Sequence, residues 1–163
     1  MNSVISNSTA LIILAKSDTL HLLSNIFKKI YIPNAVYDEL MVKDDIVKYR
    51  VKKFDNILIQ PISDLETLKR IQKLNIDKGE IEAITLAIEL NLMLIIDEKK
   101  GRKIALNQGL KIVGVLGILI ENHKQNFLSF EEAKLYFKIF KENSLRVSND
   151  LEKVFLDRLK KIK

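Results

Sequence analysis

The chain contains no cysteine, so it forms neither a disulfide nor a thiolate metal site. Only two histidines are present, His21 and His123, which leaves little scope for an imidazole-based zinc centre. His21 falls in an apolar helical stretch and reads as structural rather than catalytic. Any resident metal must therefore be held by oxygen. Five glycines, two prolines and no low-complexity stretch argue against a flexible linker, and no internal repeat suggests a solenoid. No glycine-rich loop joins the first strand to its helix, and no phosphate loop with Lys and Ser or Thr occurs at the required spacing, which argues against a nucleotide-binding domain. The amino-terminal apolar run has no basic stretch ahead of it and is interrupted by Asn7 to Thr9. It is neither a signal peptide nor a membrane span, and the expectation is a cytoplasmic protein without membrane contact.

What is present suffices for one core. With 163 residues, 47% of them hydrophobic, the chain is long enough for a single well-buried domain and short for two. We read one domain over residues 1–163, with a carboxyl-terminal helical extension from about 115 to 163. The formal net charge is +6, and its distribution is uneven. From Lys138 to Lys163 there are eight Lys and Arg against four Asp and Glu, about two-thirds of the excess. Such a patch attracts polyanions, although a solvated helical face accounts equally well for any one lysine.

Strands alternate with helices. Ser3 to Ser6, Lys29 to Ile32, Asn56 to Gln60, Leu92 to Ile96 and Leu110 to Val113 read as short apolar strands, the fourth being the most apolar run in the chain. Between them the spacing predicts helices over Thr9 to Lys16, over Thr19 to Lys28 with Asp18 as its cap, from Pro33 to about Met41, along an exposed lysine-rich piece from Asp44 to Phe54, and over Lys99 to Gln108 closed by Gly109. Ser63-Asp-Leu-Glu66, Asp77-Lys-Gly-Glu80 and Ser129-Phe-Glu-Glu132 each have capping-box spacing, and Ser148 or Asn149 opens the last helix. The pattern implies an α/β fold with a mostly parallel sheet and helices on both faces.

Within this frame, Asp77-Lys-Gly-Glu80 opens a helix that feeds a buried strand ending on Asp97, while the first strand ends on Asn7. Both ends reach the carboxyl rim of the sheet, where α/β proteins bind ligands. The pattern resembles an acidic metal site with one acid missing. Simpler roles exist for the same residues: Glu80 as the reciprocal half of a capping box, Asp97 and Asn7 as helix caps, Glu82 as a solvated side chain. Lys99, Lys100, Arg102 and Lys103 place four positive charges within five residues, a guide for an RNA backbone or a solvated helix face.

Val4-Ile-Ser-Asn-Ser-Thr-Ala-Leu-Ile12, Ile32-Pro-Asn-Ala-Val-Tyr-Asp-Glu-Leu40, Gly79-Glu-Ile-Glu-Ala-Ile84, Ile95-Ile-Asp-Glu-Lys-Lys-Gly-Arg102 and Leu110-Lys-Ile-Val-Gly-Val-Leu-Gly-Ile-Leu119 occur in this order. Together with a helical tail containing Leu145-Arg-Val-Ser148, they resemble the blocks of the PIN domain family, in its small prokaryotic branch of predicted nucleic-acid-binding proteins. The resemblance spans nearly the whole chain. It implies a three-layer α/β/α fold with a five-stranded parallel sheet in the order 3-2-1-4-5, and a metal-dependent endoribonuclease activity. It also implies a toxin-like role with RNA as substrate, a cognate antitoxin as partner, and self-association into a homodimer.

The resemblance further implies that acids at the rim bind Mg2+ or Mn2+. The matching positions are Asn7, Glu39, Glu80 and Asp97, with Glu98 as a substitute for or an addition to Asp97. At Asn7 the family usually carries aspartate. An amide keeps an oxygen but lowers the formal charge of the four-residue set, so divalent binding is expected to be weaker and catalysis reduced or absent. A non-catalytic module that holds nucleic acid or protein is the alternative reading.

Overall fold

Val4 and Ile5, successive residues on opposite faces of strand β1 (Ser3–Ser6), are both fully buried, so the strand is covered on both sides. The computed structural model, which describes residues 2–162, places β1 at the centre of a five-stranded parallel sheet. β2 (Lys29–Ile32) and β3 (Ile57–Ile59) extend the sheet on one side, and β4 (Leu94–Ile95) and β5 (Ile112–Val113) on the other. The order is therefore β3-β2-β1-β4-β5 in an α/β/α arrangement, as expected. The chain steps outward from β1 to β3 and then crosses back to lay β4 beside β1. That reversal makes the β1–β4 rim the place where a crevice opens.

The first half of the chain contributes helices α1 (Ser8–Lys16), α2 (His21–Ser24), α3 (Asn34–Met41), α4 (Ile46–Lys53) and α5 (Leu65–Gln72). The second half contributes α6 (Lys78–Leu90), α7 (Lys99–Asn107), α8 (Val115–Lys124), α9 (Phe130–Glu142) and α10 (Asn149–Lys161). α8 packs on α2, β5, α9 and α10, fastening the carboxyl-terminal helices to the β5 end of the sheet. Asn122, fully buried, contributes a polar fastener there: its Nδ2 donates to the carbonyls of Leu22 (3.0 Å) and Ile118 (2.8 Å), and its Oδ1 accepts from Asn25 (2.8 Å). No helix among the described residues is long and apolar enough to cross a membrane.

Several local expectations change. The helix expected over Thr19 to Lys28 shrinks to α2, because Asp18 does not cap it. Asp18 instead adopts the left-handed conformation (φ 55°) just past the end of α1, the place where a chain leaves a helix. Arg50 secures that end by donating to the Ala15 and Lys16 carbonyls, at 2.7 and 3.2 Å. His21 is exposed and not part of the core. The lysine-rich helix α4 is exposed on one face only, since Val47 and Val51 are buried. In the Ser63 stretch the cap is Asp64, which accepts from Thr67 N at 3.0 Å, while the Ser63 and Asp64 amides donate to Glu89 of α6. The Ser129–Glu132 capping box and the Ser148 cap are present.

Candidate active site

The amide of Asn7 donates to the carbonyl of Ile95 at 3.1 Å, so the end of β1 is tied to the end of β4 at the sheet's carboxyl rim. Asn7 is only 1% exposed. Its Oδ1 accepts from Ala10 N at 3.2 Å and caps α1, while its Nδ2 is buried without a partner. The helix cap thus engages the side-chain oxygen and leaves an amide N–H2 to find an acceptor.

The acids approach the same rim from three other elements, and each rests against a glycine. Glu39 on α3 accepts from Ser8 Oγ at 2.6 Å, and a Cβ built on Gly79 would lie 1.9 Å from its Oε1. Glu80 at the start of α6 lies against Gly101 of α7, where an added Cβ would meet its Oε2 at 2.4 Å. Asp97, just after β4, accepts from Val115 N at 3.2 and 3.1 Å, and a Cβ on Gly114 would stand 2.5 Å from its Oδ1. At Gly79, Gly101 and Gly114 an added Cβ would displace a carboxylate oxygen, so these glycines serve close approach rather than turning.

Glu98, not Asp97, caps α7: its Oε2 accepts from Gly101 N at 2.9 Å. Glu98 is also the acid that Glu80 meets. Burial above all, then Glu98 and Asp77 beside it, pushes the Glu80 carboxyl up from 4.5 to about 8. One of its oxygens, Oε2, is buried without any partner. The Gly101 amide chiefly holds Glu98 below its usual value. Burial raises Asp97, opposed by the Val115 amide and by the Arg102 guanidinium. The raised value favours the protonated form of Glu80, and the lowered one favours the ionised form of Glu98.

The expected residues therefore reach one rim, but they do not form one ligand cluster. Among the described residues no three acidic or imidazole side chains converge closely enough to hold an ion together. Glu80 is brought to Glu98 and Asp77, Glu39 to Ser8, and Asp97 to the amino terminus of α8. Asp77 makes no side-chain cap bond, so the capping-box role of Glu80 is not realised.

The four basic residues also separate. Lys99, Arg102 and Lys103, with Leu106, recur at helical spacing on one face of α7 and line a groove of about 940 Å3 beside Asp97 and Glu98. Arg102 is partly committed, donating to the Ile96 carbonyl at 2.8 Å. Lys100 turns away and donates to the Asn75 carbonyl at 2.8 Å. The groove lining also carries Arg146 and Arg158.

Glu82 was expected in solvent but accepts from Ala35 N at 3.0 Å, substituting for the cap that Pro33 cannot supply to α3. Its partner lies 47 residues away, and no local pattern announces it. The sequence marks Asp77 only as a helix cap, not as a neighbour of Glu80 at the site, and marks Arg146 and Arg158 only through the excess of basic residues near the carboxyl terminus.

No curated protein matches the chain. A family model described as a PIN domain (DUF3368) matches residues 3–161. Proteins of this family are generally nucleases and typically use divalent metals. The sheet order, the rim at the β1–β4 reversal and a match over nearly the whole length agree, and the chain belongs to the PIN domain family.

Proposed function

We propose that this chain is a metal-dependent endoribonuclease of PIN type whose acidic rim is weakened at one position. The observation that carries this reading is Glu80: a carboxyl beside Glu98 and Asp77, with one buried oxygen lacking a partner. A hard cation relieves both the repulsion and the missing contact, and the oxygen-only donor set suits Mg2+ or Mn2+. Glu80 and Glu98 would hold the ion, with Asp97 and Glu39 as the further carboxylates of the set. Because no three of them converge, water and substrate phosphate would fill much of the coordination shell, as Mg2+ sites allow. When bound, such an ion supplies charge neutralisation at the phosphate and lowers the pKa of a water.

The chain's own residues supply the rest. The unpartnered Asn7 N–H2 suits an oxygen acceptor at the rim, so Asn7 would orient a phosphate oxygen or a water rather than ligate the ion. Arg102 holds the Ile96 carbonyl beside Asp97, fixing the last turn of chain before the acid. Lys99 and Lys103, exposed on the same α7 face, would attract the RNA backbone. A toxin role, a cognate antitoxin and a homodimer extend the same reading and rest on family membership.

A second reading has its own support. Asn7 uses its oxygen to cap α1, which fits a PIN-fold module that holds RNA without cutting it. Incubating end-labelled single-stranded RNA with the protein in Mn2+ or in EDTA separates the two. The nuclease reading predicts Mn2+-dependent fragments that disappear in Asp97→Asn. RNA binding that persists in EDTA, with intact RNA under every condition, would leave the module.

A further inference from the structure

We propose that the open edge of the sheet is a self-association surface, at which β3 pairs antiparallel with β3 of a second copy of this chain. The inference gives the homodimer of the proposed function a surface, and it rests on the edge strand rather than on the acidic rim. β3 and β5 are the two opposite edges of the sheet, so the β1–β4 rim would stay open in the pair. In the ladder with β2, Ile30 donates to the Asn56 carbonyl at 2.8 Å and Gln60 to the Ile32 carbonyl at 2.9 Å. Asn56, Leu58 and Gln60 therefore turn their peptide groups to β2, and Ile57 and Ile59 turn theirs outward. The Ile57 amide is engaged by the Phe54 carbonyl at 3.2 Å. The Ile57 carbonyl and both peptide groups of Ile59 are left without backbone partners among the described residues.

Three features fit a second copy. An open edge is usually blunted by charge, yet Asn56 to Gln60 carries none, and Leu58 and Ile59 remain 38% and 46% exposed. On the sheet face away from Leu58, Tyr37, Val51, Phe54, Ile57 and Ile59 line a hollow of about 250 Å3. With Leu58 of both copies at the two-fold axis, each Ile59 stands opposite Ile57 of the other copy on that same face. Each Ile59 side chain then enters the other copy's hollow, and each Ile59 amide donates to an Ile57 carbonyl. A register one residue further would instead set Pro61, which has no N–H, opposite Ile57. Charge agrees: Lys52 and Lys53 outnumber Asp55 before the strand, Asp64 and Glu66 follow it, and none of the five is in an ion pair among the described residues. An antiparallel pair brings the basic end of one copy beside the acidic end of the other, whereas a parallel pair would set like against like. The contact is short, so the dissociation constant should be roughly 10–100 μM.

The chain has no cysteine, which permits a register-specific test in the full-length protein. The two Leu58 residues would form a non-hydrogen-bonded pair with Cα atoms about 4.5 Å apart, within reach of a disulfide. Leu58→Cys should therefore yield a disulfide-linked dimer under mild oxidation, while Gln60→Cys, which would face Asn56, should yield little. Sedimentation velocity of the wild type should show a concentration-dependent dimer, weakened by at least about tenfold in Ile59→Lys. Ile59 is exposed in the single chain, and an unchanged melting temperature verifies that the variant folds. A monomer at every concentration, equal cross-linking by Leu58→Cys and Gln60→Cys, or a dimer untouched by Ile59→Lys overturns the proposal. Binding of an extended peptide to a monomeric wild type, lost in Ile59→Lys, would give the edge to a foreign strand and likewise overturn it. Mn2+-dependent RNA cleavage by a strictly monomeric chain would sink the pair and leave the nuclease reading, and an Ile59-dependent dimer that cuts no RNA would do the reverse.

Discussion

At the scale of single residues, the site depends on carboxylates packed against backbone that has no side chain. Gly101→Ala illustrates the balance: inside α7 alanine gains about 0.5–1 kcal/mol of helix propensity. Its Cβ, however, would stand 2.4 Å from Glu80 Oε2 and 2.7 Å from Ile96 Cδ1, and overpacking of this kind costs about 1–3 kcal/mol. We expect net destabilisation in urea titration and a displaced Glu80; a more stable variant would contradict the close packing. Glu80 also sets a pH dependence. Its folded value is raised, so the native state keeps a proton that the unfolded chain releases, and stability falls as pH rises from about 4.5 to about 8. Asp97 acts in the same direction, whereas Glu98, Asp64 and Glu132, all lowered, remove stability on the acid side. Glu80→Gln should flatten the decline between pH 5 and 8.5 in thermal melts, and Mn2+ should raise the wild-type melting temperature more at pH 8 than at pH 5. An unaltered pH profile in Glu80→Gln would show that Glu80 ionises without cost.

Among elements, the coupling of α3 to α6 is the least local feature. Pro33 gives α3 no side-chain cap, and Glu82 supplies the acceptor from α6, the helix that also carries Glu80 and Gly79. Glu82→Ala should therefore cost about 0.5–2 kcal/mol, the range for losing a helix cap, measured by chemical denaturation. A change within error would mean that water satisfies Ala35 equally well. This contact also shows where sequence reading ends. Caps with a partner three residues on, such as Asn7, Ser129 and Ser148, were legible because the pattern is local. The choice between Asp97 and Glu98 was not, since it turns on where β4 stops, and that is set by pairing to β1 and β5. The strand positions followed from apolar runs, while their order entered through family resemblance. Asp18 misled because an acid before an apolar stretch resembles an N-cap whether it opens one helix or closes another.

For the whole molecule, the order β3-β2-β1-β4-β5 carries Asn7 and Asp97 to one rim, and the carboxyl-terminal helices turn a basic, aliphatic groove toward it. The fold is that of a family whose members are generally nucleases, and on the proposed function Asn7 sets how much of the chemistry remains. Asn7→Asp keeps the α1 cap, because Asp and Asn cap comparably, and adds a carboxylate next to Asp97's strand. The most direct measurement is therefore the rate of Mn2+-dependent cleavage of single-stranded RNA by wild type and by Asn7→Asp, with Asp97→Asn in the same series. Slow cleavage by wild type, a rate at least tenfold higher in Asn7→Asp and none in Asp97→Asn is the predicted result. Intact RNA with all three proteins would contradict a nuclease site at this rim.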